Sequence, residues 1–67
     1  MSKLKEIREA KGLTQVELAV KSGVASMTIS RIERGAVTKP AYATLKVLAD
    51  ALGVSPEDIR NGYYAQN

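Results

Sequence analysis

The chain has 67 residues, of which 45% are apolar, and it carries a formal charge of +3 at neutral pH. It contains no cysteine and no histidine, which argues against a disulfide framework, a zinc site and the usual general base of an enzyme. No apolar run approaches the ~18 residues of a membrane span, and none follows the basic N-terminus as in a signal peptide. We therefore expect a single cytoplasmic domain over residues 1–67 that is not an enzyme, with no cofactor, no metal, no membrane contact and no evident small-molecule ligand.

The charge is unevenly distributed along the chain. Residues 21–46 carry +4, whereas residues 1–20 carry +1 and residues 47–67 carry −2. A basic middle segment favours a polyanionic partner, although an ordinary solvated surface would have the same composition.

Two short helices are predicted in the first third of the chain. Ser2 can cap a first helix that ends near Lys11. Thr14 and Glu17 have the spacing of a capping box, in which each side chain bonds the backbone amide of the other residue. The second helix that begins there ends before Gly23, which can supply a left-handed C-terminal residue.

The segment from Gln15 to Arg34 has the pattern of a helix-turn-helix unit. Its second half is a third helix that begins near Ser26. Two helices that meet at a steep angle need a small residue at their contact and a glycine in the turn, here Ala19 and Gly23. The positions that such a pair must bury are apolar: Leu18, Val24, Ile29 and Ile32.

Two further helices complete the predicted domain. Pro40 suits the first turn of a fourth helix, because its missing amide donor costs nothing there. The apolar stripe of that helix comprises Tyr42, Leu45, Leu48, Ala49 and Leu52. Ser55 and Pro56 are start signals of a short fifth helix, which Ile59 anchors. We expect one core over about residues 3–60 and a short tail over residues 61–67.

Three stretches, LKEIREAKGLTQVELA, SGVASMTISRIERG and LKVLADALGVSPEDI, resemble the lambdoid phage repressor and Cro family (XRE-type) of helix-turn-helix domains. Together they extend from Leu4 to Ile59. The resemblance implies an all-α, compact five-helix domain of the lambda repressor-like DNA-binding kind. It also implies a sequence-specific double-stranded DNA-binding transcriptional regulator, acting as a repressor and as a homodimer on a palindromic operator.

The outer face of the third helix carries side chains that can read bases. If Ile29 faces inward, then Met27, Ser30 and Arg31 lie on the far side and Ser26 at the edge, because successive residues step ~100° around the axis. Arg31 can fork onto guanine O6 and N7, Met27 can touch a thymine methyl group, and both serines can donate or accept. The alternatives are a solvated Arg31 and a Met27 that folds beneath the helix.

Contacts to the DNA backbone are expected around this unit. In the family the matching glutamine binds the DNA backbone, so the resemblance gives that role to Gln15. The free backbone amides of the first helical turn also form a phosphate site there. The other predicted phosphate contacts are Thr28, Arg34, Thr38 and Lys39. The alternative is that Gln15 merely begins a helix and that the others are solvated surface residues.

Arg8 and Glu33 carry charges on largely inward faces. The family pairs the matching residues across the core, so the resemblance implies a partly buried salt bridge that positions the third helix. Such a pair need not add net stability, but losing one partner from a fully buried pair costs roughly 3–5 kcal/mol.

Ala25 departs from the family pattern, which usually has Ser or Thr as the cap of the third helix. Alanine cannot cap, and the loss is worth ~1 kcal/mol. Ser26 is an alternative cap, and this would start the helix one residue later and withdraw Ser26 from base reading.

The predicted dimer interface comprises Val54, Ile59, Tyr63 and Tyr64, although the tyrosines could instead pack on the domain's own core. An alternative function on the same fold is a protein-interaction module, such as an antitoxin or an anti-repressor. An antitoxin typically adds a partner-binding extension, whereas only NGYYAQN follows the fifth helix here. DNA binding is therefore the preferred interpretation.

Overall fold

A computed structural model of the chain describes residues 2–37 and 39–60. Within these residues it contains five helices and no strand. The helices are α1 (Lys3–Ala10), α2 (Gln15–Ser22), α3 (Ser26–Glu33), α4 (Tyr42–Leu52) and α5 (Pro56–Ile59). The predicted all-α class with five helices is confirmed, and α3 ends one residue earlier than the sequence pattern suggests.

The first two helices begin at capping side chains. Ser2 Oγ accepts a hydrogen bond from the Lys5 backbone N–H at 3.0 Å. Thr14 Oγ1 accepts from the Glu17 N–H at 3.0 Å, and the Glu17 carboxylate accepts from the Thr14 N–H at 2.8 Å. Both predicted caps are confirmed, and each gives a partner to amides that a helix start leaves unpaired.

The turn between α2 and α3 depends on a glycine. Gly23 has φ +80°, a left-handed conformation that costs other residues roughly 1 kcal/mol or more. Its N–H donates to the Ala19 carbonyl at 2.8 Å. Only Val24 and Ala25 separate it from α3, so α2 and α3 are directly joined and pack against each other.

The start of α4 differs from the prediction. Pro40 is predicted in its first turn, but α4 begins at Tyr42 with Ala41 as N-cap, so Pro40 precedes the helix. Tyr42 is 62% exposed, and its assignment to the apolar stripe is therefore wrong. The first turn of α4 extends past the core, and burial of the stripe begins one turn later, at Leu45.

One apolar core joins all five helices. α4 packs on α2 and α5, while α1 packs on α3 and α5. The buried members of the core are Leu4, Leu18, Ile29, Ile32, Leu45, Leu48, Ala49, Leu52 and Ile59. Because α3 enters this core through two isoleucines, its opposite side is left for solvent. Across the described part of the chain, no helix has both the length and the apolar character needed to cross a bilayer.

Candidate nucleic-acid interface

The two sides of α3 differ sharply in burial. Ile29 and Ile32 are 0% and 1% exposed, whereas Met27 is 62% exposed. Arg31 is exposed as well, and Ser30 is half-buried. The alternative in which Met27 folds beneath the helix is therefore wrong. The side chains that can read base edges lie on the solvent side of the eight-residue helix.

The N-terminal end of α3 has no side-chain cap. Ala25 is the N-cap residue, with φ −59° and ψ 140°, and the helix begins at Ser26. The alternative in which Ser26 caps a later start is therefore wrong. Ser26 is half-buried at the first helical position. In helix-turn-helix proteins the N-terminal end of the second helix of the motif is the part that contacts the bases.

A fixed turn follows α3. Gly35 is left-handed, with φ +80°. The carbonyl oxygen of Arg31 accepts from the Ala36 N–H at 2.9 Å and from the Val37 N–H at 3.2 Å. These bonds turn the chain back immediately after the helix, as at other helix C-termini closed by glycine.

The predicted phosphate contacts differ in exposure. Arg34, the C-cap residue of α3, is exposed, as is Lys39 beyond the turn, and Thr28 is half-buried. Thr38 lies outside the described residues. Cationic side chains near a helix C-terminus also interact favourably with the helix dipole.

A buried carboxylate connects the first three helices. Glu33 accepts from Arg8 Nε at 2.7 Å and from Arg8 Nη2 at 3.0 Å, so the two side chains form the expected salt bridge. Arg8 Nη1 also donates to the Leu13 carbonyl in the α1–α2 connection, at 2.6 Å. Gln15 Nε2 donates to Glu33 Oε1 at 3.0 Å. The structure thus brings Gln15, Arg8 and Glu33 together at one point.

Sequence reasoning missed the contact between Gln15 and Glu33. The two residues are 18 positions apart, and no cap, turn or periodicity signal joins them. Their proximity follows from the packing of α2 against α3.

The surroundings of Arg8 favour its charged form. The Arg8 and Glu33 side chains are only 8% and 4% exposed. The hydrogen bond to Glu33 raises the pKa of Arg8 above its ordinary value, and the charges of Glu33 and Glu9 act in the same direction against desolvation. Glu33 is the only acidic residue in segment 21–46. Since its partner is Arg8, it does not neutralise the exposed Arg31 and Arg34.

The predicted dimer interface is only partly available. Ile59 is fully buried in the core, so its assignment to an interface is wrong: no side-chain surface remains for a partner. Val54 is half-buried and packs against the same core. Tyr63 and Tyr64 lie outside the described residues.

A capped helix, a three-residue glycine turn and a second helix with a buried inner side and a polar, basic outer side define a helix-turn-helix domain. Residues 4–59 match the family model described as helix-turn-helix (HTH_3), and the chain belongs to this family. The resemblance predicted from the sequence is confirmed.

Several bacterial proteins are similar to this chain. The HTH-type transcriptional regulator RghRB of Bacillus subtilis (strain 168) is 48% identical over 56 residues, covering 84% of this chain and 40% of that protein. The HTH-type transcriptional repressor RghR of the same organism is 45% identical over 56 residues, covering 84% and 42%. The chain thus spans about two fifths of the length of both relatives.

The fold also has a close counterpart among solved structures. A crystal structure of an HTH_3 family transcriptional regulator from Vibrio cholerae matches 97% of this chain with a TM-score of 0.78 and 31% sequence identity. The match covers 34% of that chain. The arrangement of the helices described above is therefore shared with that regulator.

Proposed function

We propose that this chain is a sequence-specific double-stranded DNA-binding domain of a transcriptional regulator. The observation that carries the proposal is the outer face of α3, where Met27 and Arg31 are exposed and the one acid of the segment is held by Arg8. The similarity to proteins named transcriptional regulators and repressors supports it.

In the proposed complex, α3 lies in the major groove. Eight helical residues are ~12 Å long, about the width of that groove. Arg31 donates to O6 and N7 of a guanine, and Met27 packs on a thymine methyl group. Ser26 and Ser30 bond to base edges near the N-terminal end of the helix. These four side chains would set the sequence preference.

Contacts to the DNA phosphates would fix the position of α3 in the major groove. At the start of α2, the Thr14 hydroxyl accepts from the backbone amide of Glu17 and leaves the preceding amides of the first turn for another acceptor. These amides and the Gln15 side chain can donate to one phosphate. Arg34 and Lys39 would contact phosphates beyond the other end of α3, and Thr28, in the first turn of α3, and Thr38 would supply further phosphate contacts. None of these contacts depends on the base sequence.

We further propose that the regulator is a homodimer that represses from a palindromic operator. One α3 reaches only a few base pairs, whereas two copies related by a two-fold axis would enter successive major grooves about 34 Å apart. With Ile59 in the core, an interface would use Val54 together with Tyr63 and Tyr64. A sedimentation experiment that finds one chain per full palindrome would exclude the dimer.

Selection of bound sequences from random DNA, followed by affinity measurements at two salt concentrations, tests the proposal. Arg31→Ala should weaken binding to the selected site by ~1–3 kcal/mol and relax the preference at one base pair per half-site. Gln15→Ala should weaken binding to all sequences alike.

The matched control is Lys11→Ala. It removes one positive charge from a surface cavity that residues of the α1–α2 connection, α2 and the end of α4 line and α3 residues do not. An equal loss of affinity for selected and random DNA in Arg31→Ala would refute base reading. A stoichiometric protein partner without any DNA binding would instead favour the antitoxin or anti-repressor function.

A further inference from the structure

The contact between Gln15 and Glu33 links a proposed phosphate ligand to the buried ion pair. We propose that Glu33 is a positioning residue for DNA binding: it fixes the Gln15 amide so that an N–H, and not the carbonyl oxygen, is offered to a phosphate. This inference rests on the proposed function. It adds an explanation of how the uncharged Gln15 side chain is oriented to bind a phosphate.

The charge and bonding of the Glu33 carboxylate decide which atom of the Gln15 amide faces it. The Glu33 carboxylate is held by two hydrogen bonds from Arg8, at 2.7 and 3.0 Å. An ionised carboxylate only accepts hydrogen bonds, so the amide oxygen of Gln15 cannot face it without repulsion. The nitrogen therefore occupies the position 3.0 Å from Glu33 Oε1.

The Gln15 amide keeps a second N–H beside the one that Glu33 accepts. A glutamine amide carries two donors on one nitrogen in a planar group. One of them is bonded to Glu33, and this is the amide's hydrogen bond within the described residues. Once the nitrogen is fixed, the direction of the second N–H is fixed as well. The half-buried Gln15 opens α2, where the backbone amides of the first turn would donate to the same phosphate.

The fixed orientation of the Gln15 amide lowers the entropic cost of binding a phosphate. The terminal torsion of an unrestrained glutamine is broad and roughly two-fold, so oxygen and nitrogen exchange places readily. Only one of the two orientations offers a donor to a phosphate. Ordering one such side chain on binding costs an amount that corresponds to about a two- to tenfold change in affinity. Glu33 removes this cost before DNA arrives.

The test must separate positioning from a general loosening of α3. Replacing both ion-pair partners, Arg8→Met with Glu33→Met, removes the acceptor without leaving a buried unpaired charge, and such replacements commonly fold. DNA affinity is measured for the wild type, Gln15→Ala, the double variant and the triple variant, below the unfolding transition of each. A control double-mutant cycle uses the same variants with Arg31→Ala in place of Gln15→Ala.

Positioning predicts a specific non-additivity. The double variant should bind DNA two- to tenfold more weakly than the wild type. The triple variant should bind DNA as tightly as Gln15→Ala alone. The Arg31→Ala cycle should be additive. An equal loss of affinity with and without Gln15 would overturn the inference while leaving DNA binding intact. If the wild type binds no DNA at all, both this inference and the proposed function fail.

A second measurement needs neither DNA nor a variant that folds. In the full chain labelled with ¹⁵N and ¹³C, one side-chain amide proton of Gln15 should be shifted and slow to exchange, with a ¹⁵N–¹³C coupling across the hydrogen bond to the Glu33 carboxylate. Gln15 amide protons with the shifts and exchange rates of free glutamine would overturn the inference.

Discussion

The uncapped start of α3 provides a quantitative test of the structure. Ala25 has the extended backbone of an N-cap residue, with φ −59° and ψ 140°, but no side-chain acceptor. A threonine hydroxyl at this position would accept from the backbone N–H of Met27 or Thr28. Because such a cap is worth ~1 kcal/mol, we expect Ala25→Thr to stabilise the domain by about that amount.

The effect is large enough to measure by thermal unfolding. An unfolding entropy of ~2.1 cal/mol/K per residue gives roughly 0.14 kcal/mol/K for a chain of this length. A gain of ~1 kcal/mol then raises Tm by about 7 °C. Circular dichroism at 222 nm follows the loss of helix directly.

Ala25→Val is the matched control, because valine has the shape of threonine without its hydroxyl group. It should leave Tm unchanged or lower it slightly. An equal rise in Tm for both variants would show that side-chain packing, not capping, is responsible. No rise in Ala25→Thr would mean that the α3 amides already have partners, and the reasoning would be refuted.

Two other predictions concern charged groups. Arg8→Met should lower the free energy of unfolding, measured by urea denaturation, by roughly 3–5 kcal/mol, because it leaves Glu33 buried without its partner. Adding Glu33→Met should recover most of this loss. A double variant as unstable as the single one would contradict the prediction. The backbone and side chain of Ser55 donate to Asp58 at 3.0 Å and lower its pKa. This contribution to stability is present above the unfolded-state pKa of about 4 and is lost as the pH falls through the folded-state pKa. Asp58→Asn should therefore be less stable than the wild type at pH 6 and approach it near pH 2, and a difference independent of pH would argue against the charge.

Local signals made much of the fold predictable. The caps at Ser2 and Thr14 and the left-handed Gly23 each involve residues within four positions of one another, so the sequence specifies them directly. The inner and outer faces of α3 follow from helical periodicity alone, since Ile29 and Ile32 are buried and Met27 is exposed.

The predictions that the structure contradicts concern residues whose sequence signal is compatible with more than one structure. Pro40 is compatible with both the first helical turn and the loop before it, and the structure selects the loop. Tyr42 has the spacing of the apolar stripe, but it lies beyond the end of the core. An apolar residue near a terminus can suit an interface or a core equally well, and for Ile59 only the packing of α5 decides.

The way α3 is anchored has a consequence for how such a domain can change. Its attachment to the rest of the fold uses Ile29 and Ile32 together with the Glu33 carboxylate. Substitutions at exposed positions away from such anchors typically alter stability by less than about 0.5 kcal/mol. If the outward residues of α3 read bases as proposed, new target sites would evolve by exchange of a few of them on a scaffold that stays folded, and the same positions would be the choice for engineered retargeting.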